Sequence, residues 1–192
     1  MEQILFGAPV AEQLDEISKN AFQKHSKDNE KPHLTAITVG DNPASLLYVT
    51  RKQEKALDLG VEFNWLKLDS NTSQETLEDV ITTESDSTDG LIIQLPLPSH
   101  LNPENAINCI PHEIDVDGLT SHNLGSLFSD TYNLIPATSL AVLELLNFYN
   151  IKTEDKNVVI AGRSRLVSAP LAKILSSKSY NANVSVIHSK TT

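Results

Sequence analysis

An α/β fold built on a parallel sheet is what this sequence predicts, and three observations predict it. Short apolar runs at 34–39, 61–68 and 90–94 have strand length, and stretches with helical periodicity separate them. Turn chemistry closes the first and third runs, as Gly40-Asp41-Asn42-Pro43 and Leu95-Pro96-Leu97-Pro98. The β-α-β-α-β order then requires crossover connections, hence parallel strands. A second pair of runs, 157–161 and 184–188, flanks one more helical stretch near the C-terminus. That pair makes a single further β-α-β unit, fewer strands than a complete nucleotide-binding half-fold needs.

The elements follow in order. Pro9 suits the first turn of a helix in which Val10, Leu14, Ile17 and Ala21 recur at helical spacing. Lys27 to Lys31 reads as a polar linker before the first strand. Ser45 or its neighbours are expected to cap the next helix, which ends at Gly60, a good residue just past a helix end. Thr72-Ser73-Gln74-Glu75 reads as a capping box for a short helix through Leu77, Val80 and Ile81, followed by a polar connection over 82–89. Asn102-Pro103 is a cap and first-turn pair for another helix. Residues 111–138 lack periodic signal. Leu140 to Asn150 reads as an apolar helix, with Thr138 or Ser139 as its cap. A turn at Gly162-Arg163-Ser164-Arg165 leads into the last helix, through 172–176.

Composition narrows the function classes. A hydrophobic content of 40% with 21% charged residues describes a globular chain that can bury a core. Fifteen Lys and Arg against 25 Asp and Glu give a net charge of −10, which disfavours sequence-independent nucleic-acid binding. The only cysteine, Cys109, cannot form an intramolecular disulfide, and the six histidines show no metal-ligand spacing with it, so no metal is expected. The acidic start Met1-Glu2-Gln3 has no signal-peptide core, and no apolar run has membrane length. Cytoplasmic location without a membrane partner is the expectation.

The candidate chemistry begins on the helix after the first strand. Tyr48 and Lys52 stand four apart, on one face, near a strand's carboxyl end, where open α/β sheets bind ligands. An ammonium beside a phenol can form a proton-transfer pair. On spacing alone, a solvated lysine beside a half-buried tyrosine is the better reading. Gln94 stands at the end of the third strand, where it reads either as a site residue or as a satisfied strand-end amide. Asp115-Val116-Asp117-Gly118 carries two carboxylates ahead of a turn-favouring glycine. Two acidic residues are too few for an oxygen-only cation site.

The run from Val39 to Gly60 resembles the signature V-G-x-x-P-A-S-x-x-Y-V-x-x-K-x-K-A of the bifunctional methylenetetrahydrofolate dehydrogenase/methenyltetrahydrofolate cyclohydrolase (FolD) family. Glu54 and Lys55 depart from it, at positions expected to be exposed. Gly90-Leu-Ile-Ile-Gln-Leu-Pro-Leu-Pro98 matches G-[LI]-[LIV]-V-Q-L-P-L-P, and 115–118 fits D-V-D-G, with Ile114 in place of the usual lysine. Asn123 and Gly125 continue the match as N-x-G. Gly162-Arg-Ser-Arg-Leu-Val-Ser-Ala-Pro170 is similar to G-R-S-x-[IL]-V-G-x-P, and His188-Ser-Lys-Thr191 to H-S-K-T. Three residues of the family's P-C-T-P-x-G are replaced at 136–141, by Ala137, Ser139 and Ala141. Ser168 stands where the family has glycine, with a side chain where close backbone approach is expected.

The resemblance implies a folate lobe at 1–139 and an incomplete Rossmann-like NAD(P)-binding lobe at 140–192. It implies NADP-dependent oxidation of methylenetetrahydrofolate and hydrolysis of the methenyl product. Lys52 would be the general acid/base, Tyr48 would position it, Gln94 would tune its protonation, and Asp117 would anchor the pterin. Tyr48 and Gln94 would also line the folate pocket. Gly162, Arg163, Ser164 and Ser189 would bind NADP, with the guanidinium fork and the helix N-terminus favouring phosphate. Tetrahydrofolate derivatives and a second copy of the chain, in a homodimer, are the implied partners. The family continues past H-S-K-T, so the expectation is either a C-terminally truncated fragment or a shortened homologue. A catalytically silent folate-binding or dimerisation module is the alternative.

Overall fold

The computed structural model describes residues 4–25 and 31–191. The chain divides into two compact units, Gln13–Val116 and Met1–Glu12 with Asp117–Thr192. Residues 27–30 of the expected polar linker lie outside the described residues.

In the first unit, β1 (His33–Val39), β2 (Glu62–Leu68) and β3 (Gly90–Ile93) form a sheet in the order β2-β1-β3. Both pairings are parallel, so each strand is followed by a crossover: α2 (Pro43–Asp58) after β1 and α3 (Gln74–Ser85) after β2. Strand alternation sorts the side chains to two faces. Ile37 and Val39 pack with Leu77 and Ile81 of α3, and with Ala106 of α4 (Pro103–Asn108). Ala36 and Ile92 face Val49 of α2. Helices therefore cover both faces, as parallel sheets require.

Local chemistry accounts for the element ends, with several departures from expectation. The cap of α2 is Asn42, three residues before Ser45; its side chain accepts from the N–H groups of Ala44 at 3.0 Å and Ser45 at 3.1 Å. Asn42 prevails because Pro43 pre-sets the first helical turn and the short amide reaches the orphan donors directly. At the other end Gly60 has φ +82, with Val61 N–H bonded to Ala56 C=O and Gly60 N–H to Leu57 C=O. This is a Schellman closure. Helix α3 is capped by Ser73 onto Thr76 N–H at 3.1 Å, not by a Thr72/Glu75 box. It also runs through Ser85, into the expected connection, with the hydroxyls of Thr82, Thr83 and Ser85 turned onto carbonyls four residues back.

Helix α1 (Gly7–His25) is present, but Leu14 and Ile17 remain 37% and 56% exposed. The adjacent face, bearing Asp15 and Lys19, meets α2 instead, through Asp15–Lys55 at 2.6 Å and Lys19–Asp58 at 3.1 Å. The Asp15 hydrogen bond holds the Lys55 ammonium above its usual range.

In the second unit, β4 (Asn157–Ala161) and β5 (Asn183–Ile187) pair in parallel, joined by α7 (Ser168–Leu175). Ile160 packs with Leu171, Ile174 and Leu175 of α7 and Leu143 of α6 (Ala137–Phe148). The aperiodic stretch contains a short helix, α5 (Ser121–Phe128), capped by Thr120. Eight residues with Gly125 near the middle are too few for a clear periodic signal, and Leu127 is the residue the helix buries. Neither Thr138 nor Ser139 caps α6. Pro136 occupies the cap position without a side-chain bond, and Ser139 is fully buried inside the first turn. No described helix is long and apolar enough to cross a membrane.

Candidate functional site

The first candidate site forms at the carboxyl edge of the β2-β1-β3 sheet. Gly40, at φ +78, turns the chain out of β1 so that Asn42 can start α2. Ser45, Tyr48 and Lys52 then lie along one side of α2, at positions i, i+3 and i+7. Ser45 joins that side to β3: its hydroxyl donates to the Leu95 carbonyl at 3.4 Å. Gln94 extends β3 by one bond, its N–H donating to Ile37 C=O at 2.9 Å, and its side-chain amide donates to the same Leu95 carbonyl at 2.8 Å. Tyr48 is 59% exposed and Lys52 is half-buried. The peptide that follows, Leu95–Pro96, is cis.

One atom here is out of the ordinary. Oε1 of Gln94 is buried and accepts no hydrogen bond within the protein. Leaving such an acceptor unpaired costs about 1–3 kcal/mol, so it stands out against an otherwise satisfied strand end. Ser45, expected only as a cap, belongs to this group through Leu95. The P-A-S run is the signal that marks it.

The carboxylates at 115 and 117 separate. Asp115 is 1% exposed, in a parallel bridge with Leu91, and Leu91 N–H donates to the Ile114 carbonyl at 2.8 Å. Asp117 is half-buried and is the first residue of the second unit's main segment. Gly118 follows at φ +68, where a Cβ would stand 2.6 Å from Leu134 Cδ2.

Gly90 is what lets the 114–116 segment lie against β3. A Cβ there would meet Val116 Cγ1 at 2.7 Å and Leu34 Cδ1 at 3.2 Å. Gly90→Ala is therefore expected to destabilise the first unit by about 1–3 kcal/mol, the usual cost of overpacking. Urea unfolding followed through Trp65 fluorescence checks this, and an unchanged midpoint would show that the segment yields freely.

The second candidate site forms at the carboxyl edge of β4-β5. Gly162, at φ +137, donates its N–H to Ile187 C=O at 2.7 Å, which holds the two strand exits together. Arg163 and Ser164 are exposed on one exit and Ser189 on the other. Ser189 sits in a tight turn, closed by Thr191 N–H to His188 C=O at 2.8 Å and His188 N–H to Thr191 Oγ1 at 2.8 Å. Arg163, Arg165 and Lys190 bring cations to this edge of an otherwise acidic chain, a setting that fits an anionic group. The Ser164 hydroxyl is already engaged as an acceptor, from Val167 N–H at 3.2 Å. Ser168 packs against Gly162: a Cβ on that glycine would stand 2.6 Å from Ser168 Oγ.

Two clefts lie elsewhere. One of about 380 Å³ is lined by Asn147, Asn150, Thr153 and Tyr180, and one of about 520 Å³ by Lys19, Phe22, Leu57 and Gly60. Neither includes the residues just described, whose claim rests on converging polar groups. No cluster of three or more His, Cys, Asp or Glu side chains able to hold a metal occurs among the described residues.

Each of the two α/β units places polar side chains at the carboxyl edge of its parallel strands, where open α/β sheets bind ligands. The chain belongs to the tetrahydrofolate dehydrogenase/cyclohydrolase family. The profile of that family's catalytic domain matches residues 5–117, and the profile of its NAD(P)-binding domain matches 136–192. The bifunctional protein FolD of Salinibacter ruber is 38% identical over 190 residues, covering 98% of this chain and 64% of that protein. FolD of Streptococcus equi subsp. equi is 37% identical over 194 residues, covering 100% and 68%. The chain thus spans about two thirds of the length of these relatives. Among solved structures, the Campylobacter jejuni FolD methylenetetrahydrofolate dehydrogenase/cyclohydrolase superposes with a TM-score of 0.94 at 34% identity, covering 98% and 67%. The Trypanosoma brucei enzyme, complexed with NADP cofactor and inhibitor, gives 0.92 at 29%, covering 100% and 66%.

Proposed function

We propose that this chain carries the two activities named for its relatives: NADP-dependent oxidation of 5,10-methylenetetrahydrofolate, and hydrolysis of the 5,10-methenyl product to 10-formyltetrahydrofolate. The observation that carries the reading is the group at the first sheet edge, where Ser45 ties the Tyr48/Lys52 side of α2 to Gln94 and Gln94 keeps a buried acceptor unpaired. A proton donor satisfies that acceptor, and the Lys52 ammonium is a suitable one. Lys52 acts as general acid/base, Tyr48 positions it beside the substrate, and Gln94 sets its protonation. Asp117 accepts from the pterin's amino and ring N–H groups.

The folate domain in this reading is 1–139 and the partial NAD(P)-binding domain 140–192. The second sheet edge suits NADP, with Gly162 making the turn and Arg163, Ser164 and Ser189 addressing the 2′-phosphate. NADP, when bound, supplies the hydride acceptor. The protein's own part is to hold the reacting carbon in line and to move the proton. The chain works in the cytoplasm as a homodimer.

Two assays test this. Methenyltetrahydrofolate hydrolysis is followed by loss of its absorbance, and methylenetetrahydrofolate with NADP by NADPH formation. Turnover above the uncatalysed rate in either assay is expected. Folded protein that fails in both, at any practical concentration, would overturn the proposal.

A further inference from the structure

We infer that Ser139 is a positioning residue for the dinucleotide loop, acting through the Val167 carbonyl. Ser139 is fully buried in the first turn of α6, and its hydroxyl donates to Val167 C=O at 3.0 Å. Val167 is the residue from which α7 starts, and it offers no side-chain cap of its own. Its peptide groups are therefore held from outside. The N–H is taken by Ser164 Oγ at 3.2 Å, and the C=O receives both Leu171 N–H at 3.0 Å and the Ser139 hydroxyl.

The consequence lies in what that peptide controls. The loop from Gly162 to Leu166 is anchored by Gly162 N–H on Ile187 at one end, by the Val167 peptide at the other, and by the Ser164 carbonyl, which accepts from Ala169 N–H at 3.0 Å. A β-branched, apolar residue with φ −133 and ψ −65 has no intrinsic reason to hold this start. Fixing its carbonyl with a buried donor sets the direction of α7 and the place from which Arg163 and Ser164 are presented. Ser168, the next residue, packs its hydroxyl against Gly162, so movement at 167 is passed to the glycine turn as well. A hydroxyl serving only to satisfy the core would leave the loop indifferent to its loss. This inference rests on the cofactor reading of the loop.

The test compares the parent chain with Ser139→Ala. Affinity for 2′,5′-ADP, a probe carrying the 2′-phosphate, is measured by calorimetry under conditions where both proteins are fully folded. Amide hydrogen exchange is measured over 162–171 with β4 as the internal reference. The expected result is five- to tenfold weaker binding, about what one lost hydrogen bond supplies. Faster exchange should accompany it at Val167, Ser168 and Leu171, with β4 unchanged. Unchanged affinity, or unchanged loop exchange, in Ser139→Ala would overturn the inference. A parent chain that does not bind 2′,5′-ADP would overturn the cofactor reading itself and the role assigned to Ser139 with it. The two failures are thus told apart by the parent alone.

Discussion

Lys52→Met is expected to lower folate turnover by ~10²–10⁴-fold, the usual worth of a positioned acid/base group. The fold should survive. Lys52 is half-buried on α2, and methionine keeps the aliphatic stem that packs there while removing the ammonium. The helix keeps its Asn42 cap, its Gly60 closure and the Val49 contact to the sheet, none of which involves position 52. Steady-state rates with methenyltetrahydrofolate, beside a circular dichroism spectrum, make the measurement. Turnover within twofold of the parent would remove Lys52 from the mechanism, and the group at Gln94 would then need another proton donor.

The next largest effect is expected at the other sheet edge. NADP should bind more tightly than NAD, and Arg163→Ala should erase the difference. A charge-assisted hydrogen bond to phosphate contributes ~1.5–3 kcal/mol, or roughly ten- to a hundredfold in affinity. Arg163 is exposed and sits one residue past the Gly162 turn, so its removal leaves no cavity and no buried partner behind. The loss should therefore appear in the dissociation constant for NADP and hardly at all in that for NAD. Equal constants for both cofactors in the parent chain would count against the assignment of Arg163 and Ser189.

Much of this molecule is legible in its sequence. The strands were found because apolar runs of strand length end in glycine and proline, and their parallel pairing follows from the helices between them. Gly60 and Asn102-Pro103 were read correctly because those residue types act within three or four positions of themselves. The departures at the caps of α2 and α3 have one cause. Asn42, Ser45, Thr72 and Ser73 are all competent caps, and only the backbone's exit direction selects among neighbours. Helix α5 leaves little trace in the sequence because a short helix is stabilised by burying Leu127, a tertiary event.

By itself the sequence determined the fold class, the order of elements and the identities of Tyr48, Lys52, Gln94, Asp117 and the 162–164 and 189 residues as candidates. The fold class follows from local chemistry, and the candidate residues follow from the resemblance of their motifs to the family's, since spacing alone favours a solvated Lys52 beside Tyr48. Tertiary structure decided the rest: that Ser45 and Gln94 share the Leu95 carbonyl, that the glutamine's oxygen is left unpaired, and that Ser139 braces Val167. Each joins residues far apart along the chain, or records a partner that fails to arrive. A hydroxyl's chemistry is written in its residue type, but its partner is set by which backbone folding brings within hydrogen-bond reach.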